Sequence, residues 1–269
     1  MTRAMMNLAR KLKRRLIGFL RPKPGSIRDV SYRGAKLVVF PHEDVGWGII
    51  WKGNFEGADL DVIESLIRPG DTCVDIGANL GLYSVFMGRR AIDGEVLAFE
   101  PLVLNRKMLE LNCALNGINN VTVHPEIVSD SPGELEFSVS ADGAYSSILP
   151  TGRKTQSGTV VVRASTLDEK FSDRRVDIVK LDVEGAELRV LRGGRGLFSD
   201  PGRRPRAVLV ELAADNLAIY DETPQGVIDY MRELGYEAFS ITPDGLKPGW
   251  PQPRGSENAL FMPSESATR

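Results

Sequence analysis

A short apolar run over residues 72–76 passes directly into Gly77-Ala78-Asn79-Leu80-Gly81, and then into a helical pattern carrying Leu82, Val85 and Phe86. Five residues bounded by turn signals, with Cys73, Val74 and Ile76 apolar, make a buried strand. Glycines at both ends of the turn let the backbone swing sharply into the following helix. A strand that hands over to a helix in this way opens a parallel sheet, whose ligands sit at the carboxyl ends of its strands. Strand patterns recur at 96–99, 121–128, 176–182 and 206–212, with helical patterns between them at 102–115, 186–198 and 224–234. Two last strands are expected at 236–241 and 259–262. The alternation predicts an α/β fold, a mostly parallel sheet with helices on both faces.

One interval breaks the rhythm. Residues 131–175 hold no long helix, and 134–139 and 159–163 read as an antiparallel pair around the Gly/Ser/Thr-rich stretch 141–158. Ahead of the sheet, residues 29–58 read as a β-ribbon or substrate-side cap, followed by a short helix at 59–67. The main domain then spans 59–263, and 264–269 is a tail.

Residues 1–28 carry nine Lys and Arg and no acid, leaving 25 basic against 36 acidic residues in the remainder. An acidic body offers no broad positive surface for nucleic acid. Residues 5–20 form a basic amphipathic helix pattern, stopped by Pro22 and Pro24. It suits either contact with an anionic membrane through residues 1–22 or packing on the body. No apolar run is long enough to span a bilayer. Cys73 and Cys113 are too few for a disulfide framework, which places the chain in the cytoplasm, with peripheral membrane contact as an addition. With His42 and His124 alone, no histidine-rich metal site is expected.

The glycine turn gains meaning from Glu100, which follows the 96–99 strand where an acid accepts the hydroxyls of a ribose. The glycine spacing, Gly77-x-x-x-Gly81, is not the G-x-G-x-x-G on which a pyrophosphate rests. A ligand with a ribose and a charged amino acid but no pyrophosphate fits better, namely S-adenosylmethionine. On that reading Asp75, Gly77, Asn79, Gly81 and Glu100 hold the cofactor. Asp75 orients the turn or meets the ammonium group, and Ser129 and Asp130 accept from the adenine amino group.

The motifs Asp75-Ile-Gly-Ala-Asn-Leu-Gly81, Phe99-Glu100-Pro101, Val128-Ser129-Asp130, Thr166-Leu167-Asp168 and Ile178-Val-Lys-Leu-Asp-Val-Glu-Gly-Ala-Glu187 together resemble the FkbM family of S-adenosylmethionine-dependent methyltransferases. Val208–Glu211 and Asn258–Phe261 are similar to its later strands. The resemblance covers roughly residues 55–263. It implies a class I methyltransferase Rossmann-like fold of seven strands with the last antiparallel. It also implies O-methyl transfer to a small-molecule or glycan hydroxyl.

A hydroxyl is a weak nucleophile until its proton is taken, so a base belongs near the cofactor. Asp182, at the carboxyl end of its strand, is the leading candidate, with Glu184 second. Lys180, on the same face two residues earlier, is expected to pair with Asp182 or bind substrate oxygen. The bland alternative is an ion-pair and capping cluster that only fixes the turn. A metal variant would group Asp182 with Asp215 and Asn216 around Mg²⁺. His42, Trp47, Trp51, Phe55, Glu56, Tyr145, Ser146 and Ser147 are candidates for the mouth of the site. Two other functions compete: a nicotinamide-dependent oxidoreductase, and a non-catalytic cofactor-binding protein that docks at membranes.

Overall fold

The alternating pattern folds into one large sheet with a small one beside it. The computed structural model describes residues 22, 25–140, 146–149, 156–250 and 257–264. The basic helix expected at 5–20, Tyr145 and residues 265–269 lie outside them. In chain order the strands are β1 (Arg28–Tyr32), β2 (Ala35–Val39), β3 (Thr72–Ile76), β4 (Glu95–Phe99), β5 (Val121–His124), β6 (Ile127–Val128) and β7 (Gly133–Ser140). They continue as β8 (Gln156–Ser165), β9 (Ile178–Leu181), β10 (Ala207–Glu211), β11 (Tyr236–Thr242), β12 (Gly245–Pro248) and β13 (Asn258–Pro263). The longer helices are α1 (Gly57–Leu66), α2 (Leu82–Arg90), α3 (Val103–Leu115), α4 (Glu187–Gly193) and α5 (Pro224–Glu233).

The main sheet runs β12-β11-β13-β10-β9-β3-β4-β5. Strands β5, β4, β3, β9 and β10 are parallel, and β13 inserts antiparallel between β10 and β11. Strand order reverses between β3 and β9, so the crevice expected to bind ligands opens at the carboxyl ends of those two strands. Side chains alternate across the sheet. Cys73, Val96 and Ala98 pack with Leu60, Val85 and Leu109 on one face, while Val74, Leu97 and Phe99 pack with Leu188, Leu191 and Met231 on the other. Burial pushes both cysteine thiols up to about 12, which leaves them inert.

Three sequence expectations are corrected. Among the described residues the sheet has eight strands, because β11 turns back at Gly245 into the edge strand β12. Residues 121–128 are not one strand. Pro125 cannot donate to the ladder, so β5 ends at His124, and Ile127–Val128 joins the three-stranded sheet β6-β8-β7. Residues 186–198 are not one helix either. α4 stops at Gly193, and a second short helix, Arg195–Ser199, begins with the Asp168 carboxylate accepting from Gly196 and Leu197 N–H (2.8 and 2.7 Å). A side chain at Gly193 would strike the Ser129 carbonyl, so the break also allows close packing there.

Residues 29–58 give the β1–β2 hairpin, a helical turn at Asp44–Trp47 and a π-helical turn at Gly48–Lys52. The hairpin is docked by α3. Asn112 Oδ1 accepts from Val38 N–H (2.7 Å) while its Nδ2 donates to the Val38 and Leu80 carbonyls (3.1 and 2.9 Å). Tyr32 then donates its hydroxyl to the Phe55 carbonyl at 2.6 Å. These bonds fix the segment entering α1 against the sheet's carboxyl edge. Among the described residues, no helix is long and apolar enough to cross a membrane.

Candidate active site

At that edge lies a cleft bounded by the β3–α2 turn, Glu100, the small sheet and the segment before α1. Gly77, Ala78 and Asn79 line one side, and Ile127, Phe137 and Ile148 supply apolar walls. Glu56, Tyr83, Lys180, Asp182 and Glu184 gather at the other end.

The turn is held from below by Asp75. That carboxylate is fully buried and does not line the cleft; its Oδ2 accepts from Ser84 Oγ at 2.6 Å and its Oδ1 lies 3.7 Å from Lys180 Nζ. It therefore orients the turn. Gly77 is required by its neighbour as much as by its φ of +76°, because a Cβ there would sit 1.8 Å from the Asp182 carbonyl oxygen. Gly81 lies outside the lining and lets α2 approach Leu109 of α3. Asn79 is left-handed (φ 50°), and its buried Oδ1 has no hydrogen-bond partner. An orphaned acceptor on the wall of a cleft fits a ligand that brings a donor.

Glu100 occupies the expected place. Its Oε2 accepts from Asn79 N–H (3.0 Å), its Oε1 accepts from Leu102 N–H (2.8 Å), and Asn105 adds a side-chain bond. A carboxylate has about four acceptor sites, so one remains for a ligand hydroxyl rather than two. Burial pushes its pKa up to about 7, against the pull of those donors. Ser129 and Asp130 do not line the cleft. Ser129 is buried against Gly193, and its Oγ donates to Asp130 Oδ1 at 3.2 Å.

Lys180 is the cation at the centre. It donates to the Gly77 carbonyl at 3.1 Å, lies 3.3 Å from Asp182 Oδ2, and sits 5.1 Å over the Tyr83 ring. Burial opposes its charge, but Asp182, Asp75 and Glu56 outweigh burial and raise its pKa. The expected pairing with Asp182 is thus present, and the same ammonium ties β9 to the turn. Asp182, Glu184 and Glu211 bring carboxylate oxygens within 4.8 Å of one another. Asn216 donates to Glu184 Oε2 (2.7 Å) and Glu211 Oε2 (3.4 Å), while burial and the neighbouring acids raise the Glu211 pKa well above normal. The Asn216 hydrogen bonds relieve part of this crowding. Asp215 is exposed and does not join the group, so the Mg²⁺ arrangement expected from Asp182, Asp215 and Asn216 is not formed.

Two residues at the site carry more than the sequence reading gave them. Glu187 caps the 182–185 turn, its Oε1 accepting from Val183 and Gly185 N–H at 3.1 Å each. It lies at the end of the 180–187 motif already singled out, as the first residue of α4. Glu56 faces Lys180, Asp182 and Tyr83, brought there from the segment before α1. Of the other mouth candidates, Phe55 and Ser146 line the cleft. His42, Ser147, Trp47 and Trp51 do not, and the two tryptophans pack on each other at 5.3 Å.

The model of the methyltransferase FkbM domain matches residues 75–238, more than half of the chain. Methyltransferase sdnD of Sordaria araneosa is 32% identical over 152 residues, covering 45% of this chain and 59% of that protein. The 31-O-demethyl-FK506 methyltransferase FkbM of Streptomyces tacrolimicus is 26% identical over 159 residues (47% of this chain, 60% of that protein). The hexuronic acid methyltransferase AglP of Haloferax volcanii is 28% identical over 201 residues (70% and 77%). The chain thus spans about 60% of the length of the first two. A SAM-dependent O-methyltransferase structure from Thermotoga maritima covers 91% of this chain and 80% of that one, at 15% identity and a TM-score of 0.45.

Proposed function

The chain belongs to the FkbM family of methyltransferases, whose cofactor is S-adenosylmethionine, and from that premise we propose that it O-methylates a hydroxyl on a small molecule or sugar. One observation carries the reading. A single cleft runs from the Gly77–Asn79 turn and Glu100 to the Lys180–Asp182 pair, so a nucleoside held at one end delivers its reactive end to the other. The names of the FK506 and hexuronic acid methyltransferases support an oxygen-rich acceptor.

When bound, the cofactor supplies a methyl group on a positively charged sulfur. Glu100 takes a ribose hydroxyl on its remaining acceptor site, and the Asn79 Oδ1 takes a further donor. Lys180, kept protonated by the acids around it, holds Asp182 and the turn in fixed relation. Asp182 receives the acceptor hydroxyl and aims its oxygen down the cleft. Alignment of this kind accounts for much of the rate of an in-line displacement, with effective molarities of ~10⁵ M or more.

The test is transfer of isotopically labelled methyl from S-adenosylmethionine to a panel of polyols, uronic acids and macrocyclic alcohols. A labelled methyl ether and stoichiometric S-adenosylhomocysteine are expected. Label on nitrogen or carboxylate only, or a cofactor that binds with no turnover on any acceptor, would refute methyl transfer to a hydroxyl. In Asp182→Asn, turnover should fall more than cofactor affinity; an equal fall in both would reduce Asp182 to a structural role.

A further inference from the structure

Glu56 stands immediately before α1, where a side chain ordinarily turns back to cap the helix. It makes no such bond. Its backbone is left-handed (φ 51°, ψ 27°), a conformation that costs a non-glycine residue about 1 kcal/mol or more and is kept where the surroundings over-determine it. Those surroundings are specific. The Phe55 carbonyl accepts from the Tyr32 hydroxyl, the Glu56 carbonyl accepts from Leu60 N–H at 2.9 Å, and the Phe55 ring packs on Gly48, where a Cβ would strike it. With its main chain pinned on both sides, Glu56 points its carboxylate into the cleft beside Tyr83, Lys180 and Asp182.

Asp182 lies 3.3 Å from the Lys180 ammonium, and Glu56 enters the same end of the cleft from the segment before α1. We propose that Glu56 is the proton acceptor that activates the substrate hydroxyl, an assignment that rests on the methyl-transfer reading above. In the step, the hydroxyl oxygen forms a bond to the methyl carbon as the carbon–sulfur bond breaks. The electron pair of that bond stays on sulfur as a neutral thioether, and the hydroxyl proton passes to the Glu56 carboxylate and then to water.

The groups facing Glu56 suit this. Asp59 of α1, Asp182 after β9 and Glu211 of β10 discourage its charge, and Lys180 of β9 and Tyr83 of α2 favour it. Burial, with Asp182 next in weight, pushes its pKa up to about 7. A base matched to neutral pH is the most effective one there.

Glu56→Gln keeps the shape and removes the basicity. Three measurements decide the matter. Calorimetry should give S-adenosylhomocysteine the same affinity as wild type. Single-turnover methyl transfer should fall ~10²–10⁴-fold and lose the rise through pH 7 that wild type shows. In the ligand-free protein, a ¹³C-carboxyl resonance absent from the variant should titrate near 7. An unchanged rate and pH profile, a loss of cofactor affinity as large as the loss of rate, or a Glu56 resonance titrating near the ordinary ~4.3 would each overturn the assignment. If wild type methylates no hydroxyl, the functional reading fails by itself, and the carboxyl titration, repeated with a polyol present, still judges Glu56: no response to the polyol counts against it.

Discussion

Glu100→Gln isolates the cofactor acid, because the structure limits how many bonds the substitution can remove. Three protein donors already sit on the carboxylate, from Asn79 N, Leu102 N and Asn105. About one acceptor site is left for the ribose. A hydrogen bond to a charged acceptor is worth about 1.5–3 kcal/mol, so the dissociation constant of S-adenosylhomocysteine should rise roughly 10- to 150-fold. The glutamine NH₂ must also face the donor N–H of Asn79 or of Leu102, so folding stability should fall by about 1–3 kcal/mol. Calorimetry with S-adenosylhomocysteine and urea unfolding measure the two losses separately. A pH series adds a second readout. With its pKa near 7 in the free protein, Glu100 is mostly protonated at pH 6 and loses acceptor strength. Wild-type affinity should therefore be up to about tenfold weaker at pH 6 than at pH 8, and the variant's dependence much flatter. A folded variant within threefold of wild-type affinity at both pH values would refute the ribose role.

Three further outcomes follow from the same geometry. Gly77→Ala places a Cβ against the Asp182 carbonyl at positive φ, so urea unfolding should show a loss of about 2–4 kcal/mol, and a loss below 1 would disprove the contact. Lys180→Met leaves Asp75 buried without its cation and should cost about 3–5 kcal/mol by the same assay; near-neutral stability would mean that Asp75 is already protonated. Glu100 and Glu187 are both raised from the usual carboxylate range to about 7, so the folded chain binds more protons than the unfolded chain between about 4.5 and 7. Their contribution is present in full below about 4.5 and is lost as pH rises through 7, about 3 kcal/mol each. The melting temperature of the ligand-free protein should therefore be higher at pH 5.5 than at pH 8, and the opposite order would overturn the burial argument.

What the sequence made legible is what a local pattern can encode. The β3 run, the glycine turn and the acid after β4 are contiguous, and each keeps its expected place because the parallel sheet sets the positions of its strand ends. Lys180 and Asp182 are two residues apart in an extended segment, so their pairing could be read directly. Pro125 was equally visible, and its missing N–H explains why β5 ends early. The edge strand β12 lacked any such mark, for its residues are all exposed and carry no alternating pattern.

The site's second wall was legible only as a place, with Phe55 and Glu56 as mouth candidates, and not as a chemical role. Glu56 lies more than a hundred residues before Asp182, in a segment without periodicity, and reaches the cleft only because Asn112 docks the hairpin and Tyr32 holds Phe55. Each of those bonds joins a side chain to a distant backbone group, a pairing that leaves no spacing rule in the sequence. Ser129 and Asp130 lie off the cleft lining for the converse reason. They do follow a strand, but Pro125 moves that strand into the small sheet, so a rule about the carboxyl edge of the main sheet no longer applies to them. Several motif residues have structural work as well. Thr166 caps the turn after β8, Asp168 caps the helix after α4, and Glu187 caps the turn carrying Asp182. These caps fix the backbone around the cleft. On the methyl-transfer reading, Phe55 on one side and Phe137, Ser146 and Ile148 on the other line the cleft away from the turn, and changes there should alter acceptor choice while the turn and the Glu56 carboxylate stay intact.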